Sequence, residues 1–513
     1  MDKYEETVTV SENRISRDDS TLEADSSLQS TNNANPIGAH IGLFGTTTLI
    51  VGRVVGAGIY ASPGPLFAQV NSVGMALVLW AITGLISAIG ALAYAELATA
   101  FSTSGGEYIY LRKAFGPLRK NPLPFLFSWA ASFVAFPLAM ASISTVFSKY
   151  LLYLAYYRPG MEADSIPAPP NYAVKLVAVA CIWAVTILNM ITRHSGSQVQ
   201  NITAVAKFLG LILICILGIV WLAKGTYISQ FQNAFEGTSS DFWPYGTGLY
   251  LALFSYNGWN NATYSTGELK NPRRNIPLAV TISVLAVTFM YVLTNVAYFA
   301  ILPVDVIKTS SVTALNVGVA TMGAPGAYIL TIFVMFAAFG TINGNMYSAS
   351  RIVIATAENG ILLPHFFAYV HPTRKTPIVA LAVIAVITSC LTAPGDFTFL
   401  TKMVTLVQWI FYLATFVGLC YMRLFKPQRL QNRALKVPLP FLVIFIVIAI
   451  FLVVAPFVGA AKGVIQYIIV VCIIILAIPI WLVRVHFGRN GAGGKEAVKE
   501  MERRERMEDN DRL

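Results

Sequence analysis

The chain has 513 residues, 56% of them hydrophobic and 12% charged, and its mean hydropathy is +0.63. A soluble domain carries about 25% charged residues, so this composition excludes one and points to a bilayer. The net charge of +11 is dispersed over loops between apolar runs rather than gathered in one patch, which argues against a nucleic-acid partner.

In chain order, residues 1–38 come first, a stretch rich in Ser, Thr, Asn, Asp and Glu with almost no apolar content. Such a tail is expected to be disordered. It has no apolar core of the kind a signal peptide needs, so the first apolar segment is expected to direct insertion. Lys3 is its only lysine, a candidate ubiquitin acceptor or an ordinary tail lysine.

Apolar segments then fall at about 41–68, 74–100, 124–156, 172–191, 199–223, 243–266, 276–301, 323–356, 376–393, 398–424, 438–458 and 464–486. Most reach the ~20 residues that a spanning helix requires. The expectation is an all-α membrane protein with twelve transmembrane helices in one domain, 39–487. The charged stretch 488–513 follows as a C-terminal tail.

The first segment is interrupted at Val55-Gly56-Ala57-Gly58-Ile59, and the sixth at Phe254-Ser255-Tyr256-Asn257-Gly258-Trp259-Asn260. Glycine destabilises a helix interior, and within hydrocarbon unwound backbone survives only where it lines a cavity. A single interruption is equally consistent with small-residue helix packing, for which Gly52 and Gly56 are spaced. Two interruptions five segments apart fit inverted five-helix repeats with a binding site at the midplane. Freed amides suit a carboxylate and freed carbonyls an ammonium, so the pair of breaks suits an amino acid.

If the N-terminus is cytosolic, the inner loops hold Arg112, Lys113, Arg119, Lys120, Arg193, Lys270, Arg273, Arg274, Arg351, Arg374 and Lys375, and later Arg423, Lys426, Arg429, Arg433 and Lys436. The outer loops hold little beyond Arg158, Lys224, Lys308 and Lys462. That asymmetry is the positive-inside pattern and puts both termini in the cytosol. The five cysteines, Cys181, Cys215, Cys390, Cys420 and Cys472, all lie within apolar segments. Their spacing matches no metal site, so packing is the expected role, and neither metal nor cofactor is expected. The sequons at Asn201 and Asn261 lie in or beside spans, beyond the reach of glycosylation.

Gly56-Ala57-Gly58-Ile59-Tyr60-Ala61-Ser62-Pro63 resembles a first-span signature of the amino acid–polyamine–organocation superfamily. Tyr94-Ala95-Glu96-Leu97 and the stretch Ser104-Gly105-Gly106-Glu107-Tyr108 to Leu111 are similar to its second-span pattern. Gln200-Asn201 with Ala206-Lys207, then Tyr256-Asn257-Gly258-Trp259-Asn260, Glu268-Leu269-Lys270-Asn271-Pro272, Arg274-Asn275 and Pro277, resemble the L-type amino acid transporters. Phe339-Gly340, Asn343-Gly344, Ser350-Arg351, Glu358-Asn359-Gly360 and Thr376-Pro377 extend the likeness. It runs over about residues 36–487 and includes the light subunits of heteromeric amino acid transporters. The resemblance implies a LeuT-like 5+5 inverted repeat with broken helices 1 and 6. It also implies sodium-independent exchange of L-amino acids.

On that resemblance, the amides of Gly56, Ala57 and Gly58, with Ile59, hold the substrate carboxylate. The Phe254 and Ser255 carbonyls hold the ammonium, and Asn257 and Gly258 complete the site. Phe254 is a gate or an ordinary packing aromatic, and Thr341 and Asn343 are contacts from the eighth span. Lys207 lies inside an apolar span, where a charge is a functional hypothesis by default. It either replaces the cation of sodium-coupled members, bridging spans 1 and 8, or snorkels to the surface. Glu96, Glu107 and Glu268 are interfacial charges or gate residues.

Two departures qualify the resemblance. The loop from Arg158 to Asn171 has no cysteine, whereas animal members use one there for a disulfide to a heavy subunit, so no disulfide-linked heavy subunit is expected. Asn257 stands where better-known members have glycine or aspartate, and asparagine supplies no charge for a cationic side chain. The resulting expectation is a plasma-membrane carrier of large neutral L-amino acids, by exchange or proton coupling. The alternatives are a cationic amino acid or polyamine carrier and a non-transporting sensor. No nucleophile–base pair or phosphate loop marks an enzyme, so no catalytic residue is assigned.

Overall fold

The computed structural model describes residues 41–483 apart from 102–104, 117–120, 163–164, 192, 359–364, 375 and 460–463. The tails 1–38 and 488–513, with Lys3, therefore lie outside the described residues, as do Asn359 and Gly360 and the side chains of Glu268 and Glu358.

The described chain is built of helices: α1 (Leu43–Val54), α2 (Gly58–Ala61), α3 (Pro63–Val70), α4 (Val73–Ala100), α5 (Glu107–Phe115), α6 (Leu123–Tyr156), α7 (Asn171–Ile191) and α8 (Arg193–Lys224). They continue as α9 (Trp243–Ser255), α10 (Pro272–Ile301), α11 (Val304–Thr309), α12 (Thr313–Met322), α13 (Ala324–Glu358), α14 (Ile378–Thr392), α15 (Phe397–Phe425), α16 (Leu439–Gly459) and α17 (Val464–Leu482). Ten helical stretches are long and apolar enough to cross a membrane. Of the expected twelve segments, the remaining two are α9, with 13 residues, and α14, with 15.

These helices carry apolar residues on both inner and outer faces, as a lipid solvent demands. On α10, Leu285 and Phe289 face outward, whereas Val284, Val287 and Tyr291 are buried. The inner faces of α1, α4 and α8 pack against α10, and those of α6 and α8 against α13. Long α6 contains a π-helical turn at Ala131–Ala135, a register shift characteristic of functional positions in helices.

The first break ends α1 at Val55, whose ψ of 102° is extended. The short α2 follows, then α3 with prolines in its opening turn, closed by Asn71 in a left-handed conformation at φ 56°. The sixth segment is interrupted at the expected residues, 254–260, but beyond the break it does not resume as an α-helix. The α-helix stops at Ser255, a turn occupies 256–260, and Asn261–Glu268 is a 3-10 helix. The cause is polar side chains that capture carbonyls three residues back: Asn261 Nδ2 to Gly258 O at 3.1 Å, Thr263 Oγ1 to Asn260 O at 2.7 Å and Thr266 Oγ1 to Thr263 O at 2.9 Å. Such bonds compete with the α-helical ladder. Beyond this turn, Lys270 N donates to Ile41 O at 2.8 Å, so the entrance to α1 pairs with the exit of the sixth segment.

A cavity where two helix breaks meet

The two breaks lie against each other, and each contains a glycine that the other requires. A Cβ on Gly58 would stand 2.8 Å from both Cα and Oγ of Ser255. Gly258 has φ +112°, and a Cβ there would come 3.2 Å from the carbonyl carbon and oxygen of Arg53. Serine hydroxyls fasten the contact, Ser255 Oγ donating to Ser62 Oγ at 3.0 Å. The hydroxyl of Tyr291 on α10 lies 3.0 Å from Val54 O and 3.0 Å from Ser255 O. One proton is thus shared between carbonyls freed by both breaks.

Between the breaks is a cavity of about 120 Å³. Gly56, Ala57, Gly58, Phe254, Ser255, Asn257, Gly258, Thr341 and Lys207 all line it, so most of the residues singled out in the sequence converge. Ile59 does not line it and is fully buried in the core. Asn343 is also set back, accepting from Asn189 Nδ2 at 2.8 Å and donating toward Gln200 Oε1 at 3.4 Å. Among the described residues, the amides of Ala57 and Gly58 have no acceptor in the protein. The carbonyls opposite are partly committed: Phe254 O accepts from Asn257 N at 3.2 Å and Ser255 O from Tyr291. Ser255 O keeps one lone pair, whereas the Tyr256 amide also points at Phe254 O.

The facing wall is largely apolar, with Gln408 and Tyr412 as its polar members. Phe127, Ala131, Ala135 and Ala139 come from α6 around its π-helical turn, and Val407 and Phe411 come from α15. Phe254 lines the cavity with its ring edge-on to Phe397, centroids 5.9 Å apart.

Lys207 is 1% exposed, which excludes the snorkelling alternative. Its Nζ donates to Gly52 O at 2.7 Å, joining α8 to α1. The expected bridge onward to the eighth span is not among its hydrogen bonds. That connection is made by Arg53, whose Nη2 donates to Ser348 Oγ of α13 at 2.7 Å.

Of Glu96, Glu107 and Glu268, the two whose side chains are described are buried rather than interfacial. Glu96 is fully buried, paired with Arg423 in a bidentate contact and with Arg433 at 3.7 Å, and it accepts from Val437 N at 2.9 Å. Glu107 lines the cavity, accepting from Asn260 Nδ2 at 2.7 Å, Tyr94 OH at 3.1 Å and Tyr264 OH. Burial pushes its carboxyl above the usual range, against the downward pull of those hydrogen bonds. Arg53 and Tyr291 went unremarked in the sequence. Arg53 had a legible signal, a lone charge inside an apolar run, whereas Tyr291 is one of 23 tyrosines and shows its role only through its partners.

The cavity therefore offers unpaired amides on one wall, a lone pair beside them and a largely apolar chamber opposite. That combination is chemically complementary to a zwitterion. A family model described as amino acid permease matches residues 41–478. The b(0,+)-type amino acid transporter 1 of Mus musculus is 36% identical over 82% of this chain and 82% of its own length. Its Homo sapiens counterpart is 34% identical over 87% of this chain and 88% of its own length. The large neutral amino acids transporter small subunit 2 of Homo sapiens is 35% identical over 81% of this chain and 75% of its own length. With a family model across most of its length and relatives this similar, the chain belongs to the amino acid permease family.

Proposed function

We propose that this chain carries large neutral L-amino acids across the plasma membrane by sodium-independent alternating access. The observation that carries the reading is the junction of the two breaks. There the free amides of Ala57 and Gly58 suit a carboxylate, and the remaining lone pair on Ser255 O suits an ammonium. The α6 and α15 wall takes an apolar side chain. The buried ammonium of Lys207, fixed on Gly52 O, substitutes for a coupling cation against α1.

The architecture belonging to this reading has twelve spans in a LeuT-like 5+5 inverted repeat, with α1–α2 and α9 as the broken members. The meeting of the two interrupted segments, five spans apart, supports it. Both termini are cytosolic on the positive-inside asymmetry. One relative is named as a small subunit, so that protein works within an assembly. The loop of this chain from Arg158 to Asn171 has no cysteine, and we infer that any comparable partner is held without a disulfide.

Counterflow in proteoliposomes tests the reading. Vesicles loaded with unlabelled leucine should accumulate labelled leucine, isoleucine and phenylalanine without sodium. Repeating the assay with an imposed proton gradient separates exchange from proton coupling. Absence of saturable counterflow for any neutral amino acid would overturn it.

A further inference from the structure

Arg53 is where both breaks and the eighth span come together. Its backbone lies against Gly258, whose φ of +112° leaves the approach open. Its side chain crosses to α13, where Nη2 meets Ser348 Oγ at 2.7 Å. There it occupies space left by Gly344, since a Cβ on that glycine would stand 2.8 Å from Nη1. The guanidinium is thus held in place on the cavity wall, and Arg53 is partly exposed there.

The charges around it are one-sided. Lys207 lines the same cavity, but its ammonium is buried and turned onto Gly52 O. Among the described residues, neither cation forms an ion pair with a carboxylate. The acid that lines the cavity is Glu107, and its oxygens already accept from Tyr94, Asn260 and Tyr264. Asn257 lies on the same lining without a charge. A solute with a cationic side chain would meet a fixed guanidinium and find no free carboxylate, and a zwitterion of zero net charge would not suffer that repulsion.

We propose that Arg53 is a selectivity residue, a fixed positive charge that excludes cationic amino acids and polyamines from the cavity while neutral amino acids pass. The proposal rests on the amino acid transport reading above. Neutralising one like charge at the close range of a partly desolvated wall should raise the relative affinity for a cationic guest on the order of tenfold.

The test uses labelled lysine and labelled leucine, each in counterflow against leucine-loaded proteoliposomes. Wild-type protein should take up leucine and almost no lysine. Arg53→Gln should raise the lysine-to-leucine ratio about tenfold, and Arg53→Lys, which keeps the charge, should leave it low. Ser348→Asp sets a carboxylate within hydrogen-bonding reach of the unaltered guanidinium. It should also admit lysine, so the proposal remains testable if Arg53→Gln fails to insert. Equal ratios in wild type, Arg53→Gln and Ser348→Asp would overturn it. Lysine uptake by Arg53→Lys matching Arg53→Gln would also overturn it, because shape rather than charge would then be responsible. No leucine counterflow in wild type would instead defeat the transport reading itself.

Discussion

Substituting Gly58 tests whether the two breaks must touch for the cavity to bind. An alanine Cβ there would stand 2.8 Å from Ser255 Cα and Oγ and 3.1 Å from Ser255 Cβ. Ordinary carbon contacts begin near ~3.5 Å, so the breaks must separate by roughly 0.7 Å. Ser255 cannot rotate away, because Cα is itself one of the clashing atoms. Its hydroxyl is also held by Ser62 Oγ and Leu251 O. Overpacking of this kind costs about 1–3 kcal/mol. If that strain falls on the binding geometry, leucine affinity should weaken about 5- to 150-fold. Gly58→Val should be worse, since its β-branch adds two more methyl groups at the same point. Gly56→Ala is the milder control, because its Cβ would come no nearer than 3.3 Å, to the Thr341 hydroxyl. Equilibrium binding of labelled leucine to purified protein, alongside thermal melting, provides the readout. A Gly58→Ala protein with wild-type affinity and melting would refute the close approach.

Three further expectations follow from the geometry. Lys207→Ala removes a charged hydrogen bond to Gly52 O, so exchange should fall at least tenfold with little change in melting, and wild-type exchange would end its assigned role. Asn257→Asp puts a carboxylate on the cavity lining, so inhibition of leucine uptake by lysine and arginine should strengthen by about tenfold, and an unchanged ranking would mean that residue 257 does not meet the substrate side chain. Burial holds the Glu107 carboxyl above its ordinary value of 4.5, so the fold favours its protonated form, and this contribution to stability is present at low pH and lost as pH rises through the raised value. Thermal melts of wild type and Glu107→Gln from acid to neutral pH should therefore differ in slope, the wild type losing more stability as pH rises, and parallel profiles would contradict the buried-carboxyl account.

Much of the molecule was legible because hydropathy and glycine act locally. Apart from the sixth, the apolar runs became helices close to their expected limits, since a bilayer leaves little other choice. Gly56, Ala57, Gly58, Phe254, Ser255, Asn257 and Gly258 met at one cavity because a break in each of two spans leaves groups that only a shared polar space can satisfy. What failed depended on partners distant in sequence. The sixth segment turned into a 3-10 helix through the side chains of Asn261, Thr263 and Thr266, which no hydropathy profile weighs. Lys207 stands on the cavity, but its bond leads to Gly52, and Arg53 makes the contact to the eighth span. Ile59 and Asn343 lie one side-chain direction away from the cavity, a distinction that residue spacing in a broken helix does not resolve.

The breaks also differ in what they leave unmet. A broken helix frees both donors and acceptors, and a symmetric site would present both to a ligand. Here the acceptors are largely taken: Lys207 bonds Gly52 O, Tyr291 shares its proton between Val54 O and Ser255 O, and Asn257 N bonds Phe254 O. The donors of Ala57 and Gly58 have no such partner among the described residues. An unmet buried donor costs about 1–3 kcal/mol, whereas a carbonyl with one bond made forfeits much less. The unmet requirement of the cavity is therefore for an acceptor, which a carboxylate supplies with two oxygens. The ammonium of the same zwitterion must share carbonyls that already serve the protein. On the proposed function, recognition would thus centre on the carboxylate, and the wall opposite would be left to judge the side chain.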